Sequence, residues 1–378
     1  MKGQKGRQTV KKALICTYSR SYNFGASLQS YSLQRFIRQL GWECKVVDIR
    51  SEEQINNTIQ YRTDWKGIPL NLFTFLNRKK LAAGRARFNG YHYDAADRER
   101  LPCVNNEPDF SQLENAPLDV DVYISGSDQV FSPSLMSQLY FLDFNTAGAK
   151  CISYAASVGV SEIPEEKKAL FAERLKKFDA ISVREEQACL AVQPLTEKKI
   201  QVHADPVFLT PKDIWETEET AYKPLEGKKY IFAYFLYRPK AMNAYLKELS
   251  RKTGLPVVLV DTSAFRNIYH DHLVLDAGPG EFLWLLHHAQ MVVTSSFHGT
   301  ALSLIYEKDF VVFNNPATPA RIAHVLKTFG ADDHWLKDTA TVNPEAFKLK
   351  DAEKETIRSA IAEQTQRAKE YLISNMEG

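Results

Sequence analysis

Short apolar runs alternate with helix-length amphipathic segments along most of the chain, and they do so in two separate series. An apolar run, a helical segment and a second apolar run make a crossover unit, which joins parallel strands and carries a fixed right hand. The opening stretch KKALICTYSRSYNFGASLQSYSLQRFIRQLGWECKVVDIR shows the pattern. Residues 13–17 read as a buried strand; Leu28, Tyr31, Leu33, Phe36, Ile37 and Leu40 recur near helical spacing; Gly41 ends the helix; and Cys44 to Ile49 form the next strand. After a less regular region at 50–117, the series resumes through DVYISGSDQVF, CISYAASVG, a helix at 164–176, AISVR, a helix from Glu185 and IQVHADPVF. TPKDIWETEETAYKPLEGKK then reads as a linker. The second series has strands at 230–237, PVVLV, MVVTS and FVVF, with helices at 240–252, at 279–288, from His298 and at 318–329, before a charged helical segment from Asp351. The expected fold class is α/β, with two doubly wound Rossmann-like domains facing a cleft. Expected boundaries are 1–210 for the first domain, 211–228 for the linker, 229–350 for the second domain and 351–378 for a C-terminal helix.

A chain of 378 residues exceeds the size at which one hydrophobic core usually stops growing, in keeping with two domains. The formal charge of +2 supplies no global field toward nucleic acid, and no nucleic-acid partner is expected. Basic residues are nevertheless uneven: Lys2, Lys5, Arg7, Lys11 and Lys12 precede the first strand, and Arg78, Lys79, Lys80, Arg85 and Arg87 form a second group. The first group reads as a solvated tail. The second falls within IPLNLFTFLNRKKLAAGRARFNGYHY, a basic amphipathic pattern that suits either packing on its own domain or an interfacial segment near anionic lipid. Five scattered cysteines without a CxxC pair point to reduced thiols, and no apolar run is long enough to span a bilayer. The expected location is cytoplasmic, with peripheral association at the inner membrane face left open.

In open parallel sheets, ligands bind beyond the carboxyl ends of the strands. That rule selects five polar loops: 19–25, 125–128, 153–159, 184–185 and 294–300. In the last, MVVTS delivers Ser295, Ser296 and His298 directly into a helix, whose positive dipole end and free N–H groups favour an anion. Ser-Ser-x-His-Gly-Thr adds hydroxyl donors and a titratable imidazole at that point; the competing reading is a serine or threonine N-cap with His298 a bystander. In SGSDQ, Gly126 permits a tight turn, Ser127 can donate, and Asp128 can act as a base or orient a sugar hydroxyl. Arg184 ends a strand, where it could hold a carboxylate or phosphate through two parallel donors, or pair with Glu185. The DVD at 119–121, His270 with His272, and His287 with His288 lack the spacing and company of a metal site, and no metal is expected. GxGxxG, Walker and GxSxG motifs are absent from the sequence.

Seven stretches occur in an order shared with one family: NFGASLQSYSL, DVYISGSDQVF, YFLDF, ISYAASVG, ISVREEQA, ADPVFL and EFLWLLHHAQMVVTSSFHGTALSLIYEKDFVVF. From about residue 11 to residue 330 the chain resembles the polysaccharide pyruvyl transferases. The resemblance implies a fold like that of GT-B glycosyltransferases and transfer of a pyruvyl unit from phosphoenolpyruvate to a sugar of a surface or capsular polysaccharide, or its lipid-linked precursor, giving a ketal. Phosphoenolpyruvate is then a co-substrate and no cofactor is expected. The expected roles are acid/base or phosphate ligand for His298 and acceptor activation for Asp128. Arg184, Ser295, Ser296, Gly299 and Thr300 fall on the donor side, and Asn23, Gly25 and Ser127 on the acceptor side. Ser296 departs from the family pattern, which often carries an arginine two residues before the histidine, so another cation must serve. Phe131-Ser132 stands where Trp-Asn is frequent. The alternatives are a nucleotide-sugar glycosyltransferase of the same architecture, and a non-catalytic glycan-binding member of a biosynthetic complex.

Overall fold

The structure is a computed structural model that describes residues 10–377 apart from 20–21, 51, 60, 62–67, 102, 105–106, 112, 114–116, 145, 147, 239–240, 263–266, 314–318 and 337–340. Lys2, Lys5 and Arg7 of the basic N-terminal group therefore lie outside the described residues. The first sheet is parallel, in the order β3-β2-β1-β4-β5, with β1 Lys12–Cys16, β2 Glu43–Asp48, β3 Arg98–Arg100, β4 Val122–Ser125 and β5 Lys150–Ser153. Isolated bridges Ile152↔Ala180 and Ala156↔Val183 extend it to the parallel pair β6 (Ile181–Val183) and β7 (Ile200–Val202). The second sheet is wholly parallel, in the order β10-β9-β8-β11-β12-β13: β8 Ile231–Tyr234, β9 Val257–Val260, β10 His272–Val274, β11 Met291–Thr294, β12 Phe310–Phe313 and β13 Trp335–Leu336. The central strands VYIS, IFAY, VVLV, MVVT and FVVF are buried at every position, as parallel strands covered on both faces must be.

Each sheet reverses its strand order once, beside β1 in the first and beside β8 in the second. In this architecture such reversals open crevices at the strand carboxyl ends. Helix α1 (Phe24–Gln39) follows β1 and buries thirteen of its sixteen residues, far more than a one-sided surface helix. Leu33, Phe36 and Ile37 join the core of the first domain, while Phe24, Leu28 and Tyr31 join that of the second. The Phe24 ring stacks on Phe282 at 4.2 Å, and Tyr31 donates to Glu218 at 2.6 Å. Most of its buried polar residues are bonded as well: Ser32 reaches the Pro206 carbonyl, Gln29 donates to Thr17 Oγ1, and Gln34 donates to the Cys44 and Asp97 carbonyls, while the Ser27 hydroxyl has no hydrogen-bond partner. Helix α2 (Ile68–Gly90) occupies the region whose sequence showed the basic amphipathic pattern. β3 joins the sheet edge from a stretch with no readable strand pattern: its buried Arg98 is stacked on Tyr93 and bonded to the His92 carbonyl.

The segment read as a linker is packed. Helix α3 (Lys212–Thr217) buries Trp215, whose indole N–H donates to the Val207 carbonyl, and Tyr222 donates to Asp276. Helices α4 (Pro279–His287), α5 (Phe297–Ile305) and α6 (Pro319–Thr328) complete the second domain. Helix α7 (Asp351–Met376) then returns to the first: Ala368, Tyr371, Leu372 and Met376 enter the core around Ile15, Val46 and Ile124, and Tyr371 donates to the Ser153 carbonyl at 2.8 Å. Truncating Leu372 to alanine is expected to cost about 2–5 kcal/mol, as for other fully buried leucines. Chemical denaturation monitored by circular dichroism checks this; an unchanged midpoint would mean that α7 does not belong to that core.

Candidate active site

The two crevices face one another and enclose a cavity of about 370 Å³. Its walls come from the carboxyl ends of β1 (Tyr18, Asn23), β4 (Asp128, Gln129, Ser132), β8 (Leu236) and β11 (Ser295, Phe297, His298), closed by Arg321 and Ile322 of α6. Both domains therefore contribute polar side chains to one chamber.

His298 occupies the first turn of α5, and Ser296 is the N-cap: its Oγ accepts from the Gly299 N–H at 3.3 Å. The imidazole is almost fully buried and held from two sides. Its Nε2 lies 3.7 Å from Oδ2 of Asp205 without a hydrogen bond of its own. Its Nδ1 faces Gly25, where a Cβ would fall 1.9 Å from that nitrogen, so only a glycine in the first turn of α1 leaves room for the ring.

Asp205 is fully buried. Its Oδ2 accepts from Arg184 Nη1 at 2.7 Å and from Ser127 Oγ at 2.9 Å, and its Oδ1 accepts from the Val207 N–H at 3.1 Å. Burial opposes this charge, but His298, Arg184 and the Val207 N–H hold the carboxyl far below the usual carboxylate range. Arg184 is buried too; desolvation works against its charge, and the carboxylates of Glu185 and Asp205 outweigh it and push its pKa up. Its Nε donates to Glu185 at 2.9 Å and its guanidinium lies 4.3 Å from the Phe297 ring centre.

The Arg321 guanidinium also lies over the Phe297 ring, 5.6 Å from its centre. It lies 3.7 Å from Asp128 and 3.5 Å from Glu185, and its Nε has no hydrogen-bond partner. Its side chain is 15% exposed, toward the cavity. Burial, and then repulsion from Arg184, lower its pKa to about 10, so it remains charged at neutral pH in a place where an added anion would relieve the repulsion. Asp128 is strained: φ +71°, ψ −171° is a region that residues other than glycine rarely enter. Its carbonyl accepts from the Ser157 N–H at 2.8 Å and its Oδ1 from the Gln129 N–H at 2.9 Å, which hold it there.

The sequence-selected residues thus divide. His298, Asp128, Ser295 and Asn23 line the cavity. Asn23 also caps α1, and Ser295 exchanges two bonds with the backbone of Tyr237. Gly25 supports the histidine ring from behind. Ser127, read as an acceptor contact, donates instead to Asp205. Ser296 and Thr300, read as donor contacts, spend their hydroxyls on the helix: Thr300 Oγ1 donates to the Ser296 carbonyl at 2.9 Å. Gly299 is pressed against Thr294, 2.5 Å from where a Cβ would be. Arg184 lines not this chamber but an adjoining cavity of about 330 Å³, with His203, His324 and Arg367. Asp205 and Arg321 were missed. Asp205 stood in the quoted ADPVFL at a strand end, a usable signal; Arg321, eight residues beyond a strand-like run and after Asn-Asn-Pro, gave none. The DVD pair serves β1, with Asp119 on Lys12 Nζ and Asp121 on the Lys12 N–H. His287 and His288 gather on Glu219, at 2.7 and 3.7 Å, where α4 meets the next strand.

Replacing Gly25 by alanine should displace the His298 ring and abolish turnover while leaving the far-ultraviolet spectrum unchanged; a crystal structure with His298 in place would overturn the assignment. Replacing Asp205 by asparagine leaves Arg184 short of a partner and is expected to cost about 3–5 kcal/mol at neutral pH. Because the folded-state pKa of Asp205 is depressed, its contribution is fully present above the unfolded value of about 3.9 and is lost as pH falls through the folded one. The stability gap between wild type and Asp205→Asn should therefore narrow below about pH 4, read from denaturation midpoints across pH.

Comparison with known proteins places this chamber in context. In fold the chain is similar to the UDP-GlcNAc 2-epimerase of Methanocaldococcus jannaschii, with 10% identity and a TM-score of 0.51 over 94% of this chain and 93% of that one. It is also similar to S. aureus MnaA, solved with UDP, with 12% identity and a TM-score of 0.50 over 94% and 91% of the two chains. Such likeness establishes the fold, two Rossmann-like domains of the GT-B type. Among curated proteins no sequence matches. The profile of one family, polysaccharide pyruvyl transferase, matches residues 23–316, which run from the cap of α1 past β12, so the chain belongs to the polysaccharide pyruvyl transferase family.

Proposed function

We propose that the chamber transfers a pyruvyl group from phosphoenolpyruvate to two hydroxyls of a sugar in a surface or capsular polysaccharide, or its lipid-linked precursor. The observation that carries this reading is Arg321: a charged guanidinium without a hydrogen bond at Nε, lining the same cavity as His298 between the two domains. It would stand in, from α6, for the cation that Ser296 leaves out beside the histidine in sequence. Arg321, backed by the dipole of α5, would hold the phosphate or carboxylate of the donor. Arg184 would act from behind, fixing Asp205 and through it His298.

The chemistry is a proton-coupled addition followed by a displacement. His298 gives a proton to C3 of the enol, which becomes a methyl group and leaves C2 electron-poor. One sugar hydroxyl attacks C2 as its proton passes to Asp128, and a second hydroxyl displaces phosphate from the same carbon. The proton of the second hydroxyl restores His298, and the proton taken up by Asp128 leaves with the phosphate, so both groups return to their starting state and the reaction balances without a redox partner. A general acid of this kind contributes about 10²–10⁴ in rate. A lipid-linked acceptor would set the protein to work at the inner face of the membrane.

Phosphoenolpyruvate with candidate saccharides should release phosphate and add a pyruvyl mass to the sugar. His298→Ala is expected to lower kcat by about 10²–10⁴, and Arg321→Ala to raise the KM for phosphoenolpyruvate about 10- to 100-fold, the loss of a charge-assisted contact. Thermal stabilisation by UDP or a UDP-sugar, and none by phosphoenolpyruvate, would favour a nucleotide-sugar glycosyltransferase instead. Saccharide binding without turnover of either donor would favour a glycan-binding role.

A further inference from the structure

Helix α2 is two helices in one by environment. From Leu81 to Gly90 it is rooted. Leu81, Gly84 and Phe88 are buried; Gly84 lies against the Leu275 carbonyl, where a Cβ would be 2.7 Å away; and Phe88 packs on Phe24 at 4.8 Å. Arg87 pairs with Glu281 at 3.1 Å and donates to the Asp276 carbonyl, while Asn89 bonds the Gln54 and Ile55 carbonyls. From Ile68 to Lys80, a span of about 20 Å at 1.5 Å per residue, only Thr74 is buried.

The exposed half is apolar where it should be polar. Ile68, Leu72, Phe75 and Leu76 are 65%, 60%, 51% and 70% exposed among the described residues. Their spacing of four, three and one places them on a single face, opposite the side that carries Thr74, Leu81 and Phe88. Four large apolar side chains in one stripe are not the scattered exposure of an ordinary surface. Exposed Arg78, Lys79 and Lys80 follow at once, and the helix holds no aspartate or glutamate between Ile68 and Gly90. An apolar stripe followed by cations, on a helix without acidic side chains, is complementary to an anionic lipid surface, which offers hydrocarbon under a layer of negative headgroups. No helix among the described residues is long and apolar enough to cross a membrane, so the contact is with one leaflet.

We propose that the Ile68–Lys80 half of α2 docks the protein on anionic membranes, with Ile68, Leu72, Phe75 and Leu76 entering the interface and Arg78, Lys79 and Lys80 on the headgroups. The root of the same helix touches Phe24, next to the cap residue Asn23 that lines the chamber. Docking there holds the first-domain wall of the chamber close to the lipid. The inference stands apart from the transfer chemistry, because binding is measured without any substrate.

The full-length protein is sedimented with vesicles of phosphatidylcholine alone and of phosphatidylcholine mixed with phosphatidylglycerol. Binding is expected only to the mixture, falling as salt is raised. Replacing Leu72, Phe75 and Leu76 together by serine should weaken it at least tenfold, and Lys79→Glu with Lys80→Glu should do the same, with melting curves unchanged because these side chains are exposed. Turnover of a water-soluble acceptor should be unaffected, which separates failure of docking from failure of the pyruvyl-transfer reading. Absence of binding to the anionic vesicles at low salt would overturn the proposal. So would equal binding by the triple serine variant, or light scattering that shows a dimer dissociated by the same three substitutions, since the stripe would then belong to a second copy of the chain.

Discussion

A buried carboxylate, Asp205, organises the centre of this protein. It draws Arg184 and Ser127 from two other strand ends and stands 3.7 Å from His298 of the opposite domain. A charge so deep in the protein is tolerable only when surrounded by donors and cations, and removing any of them leaves the remainder uncompensated. The geometry of the histidine therefore depends on a network that crosses the domain boundary, and the relative placement of the domains and the geometry of the site are one problem rather than two.

Helix α1 answers the same requirement from the apolar side. Its first turn carries Asn23, which lines the chamber, Phe24, which stacks into the second domain, and Gly25, which yields space to the imidazole. Three consecutive residues thus serve three partners, and the segment tolerates little change of size. Helix α7 adds a second tie, crossing back so that the last residues of the chain complete the first core. A cleft whose walls are joined by a wedged helix, a packed connector and a returning helix is held at a defined opening, as the proposed transfer, with a donor and two hydroxyls at one carbon, would demand.

Family membership narrows the chemistry to a transferase and leaves the donor and acceptor to the site itself. There the balance of charge is informative. Arg184 bonds Asp205 at 2.7 Å and Glu185 at 2.9 Å, with only its Nη2 unbonded, whereas Arg321 meets its carboxylates at 3.5 and 3.7 Å and makes no hydrogen bond through its Nε. The strained backbone of Asp128 on the facing wall is maintained against its own preference by the neighbouring strand, as happens where a side chain's position matters more than local stability.

The periodic apolar runs were enough to read the α/β class and two doubly wound series, because parallel strands buried on both faces leave an unbroken hydrophobic signature. The rule that ligands gather at strand carboxyl ends led to His298, Asp128, Asn23 and Ser295, which line the cavity, since those loops are local to their strands. Ser127, Ser296 and Thr300 looked equivalent in sequence; only packing shows that their hydroxyls turn to Asp205 and to the helix backbone, because a serine beside a helix start serves a cap and a ligand equally well. Arg321, eight residues past the last quoted stretch and part of no motif, reaches the chamber only because β12 lies beside β11 and α6 folds over it. Local periodicity and strand-end position are properties of neighbouring residues and are written in the sequence. Which cation meets which anion across the cleft, and which hydrophobic face is left uncovered on α2, depends on contacts between residues far apart in the chain, and these the tertiary structure alone decides.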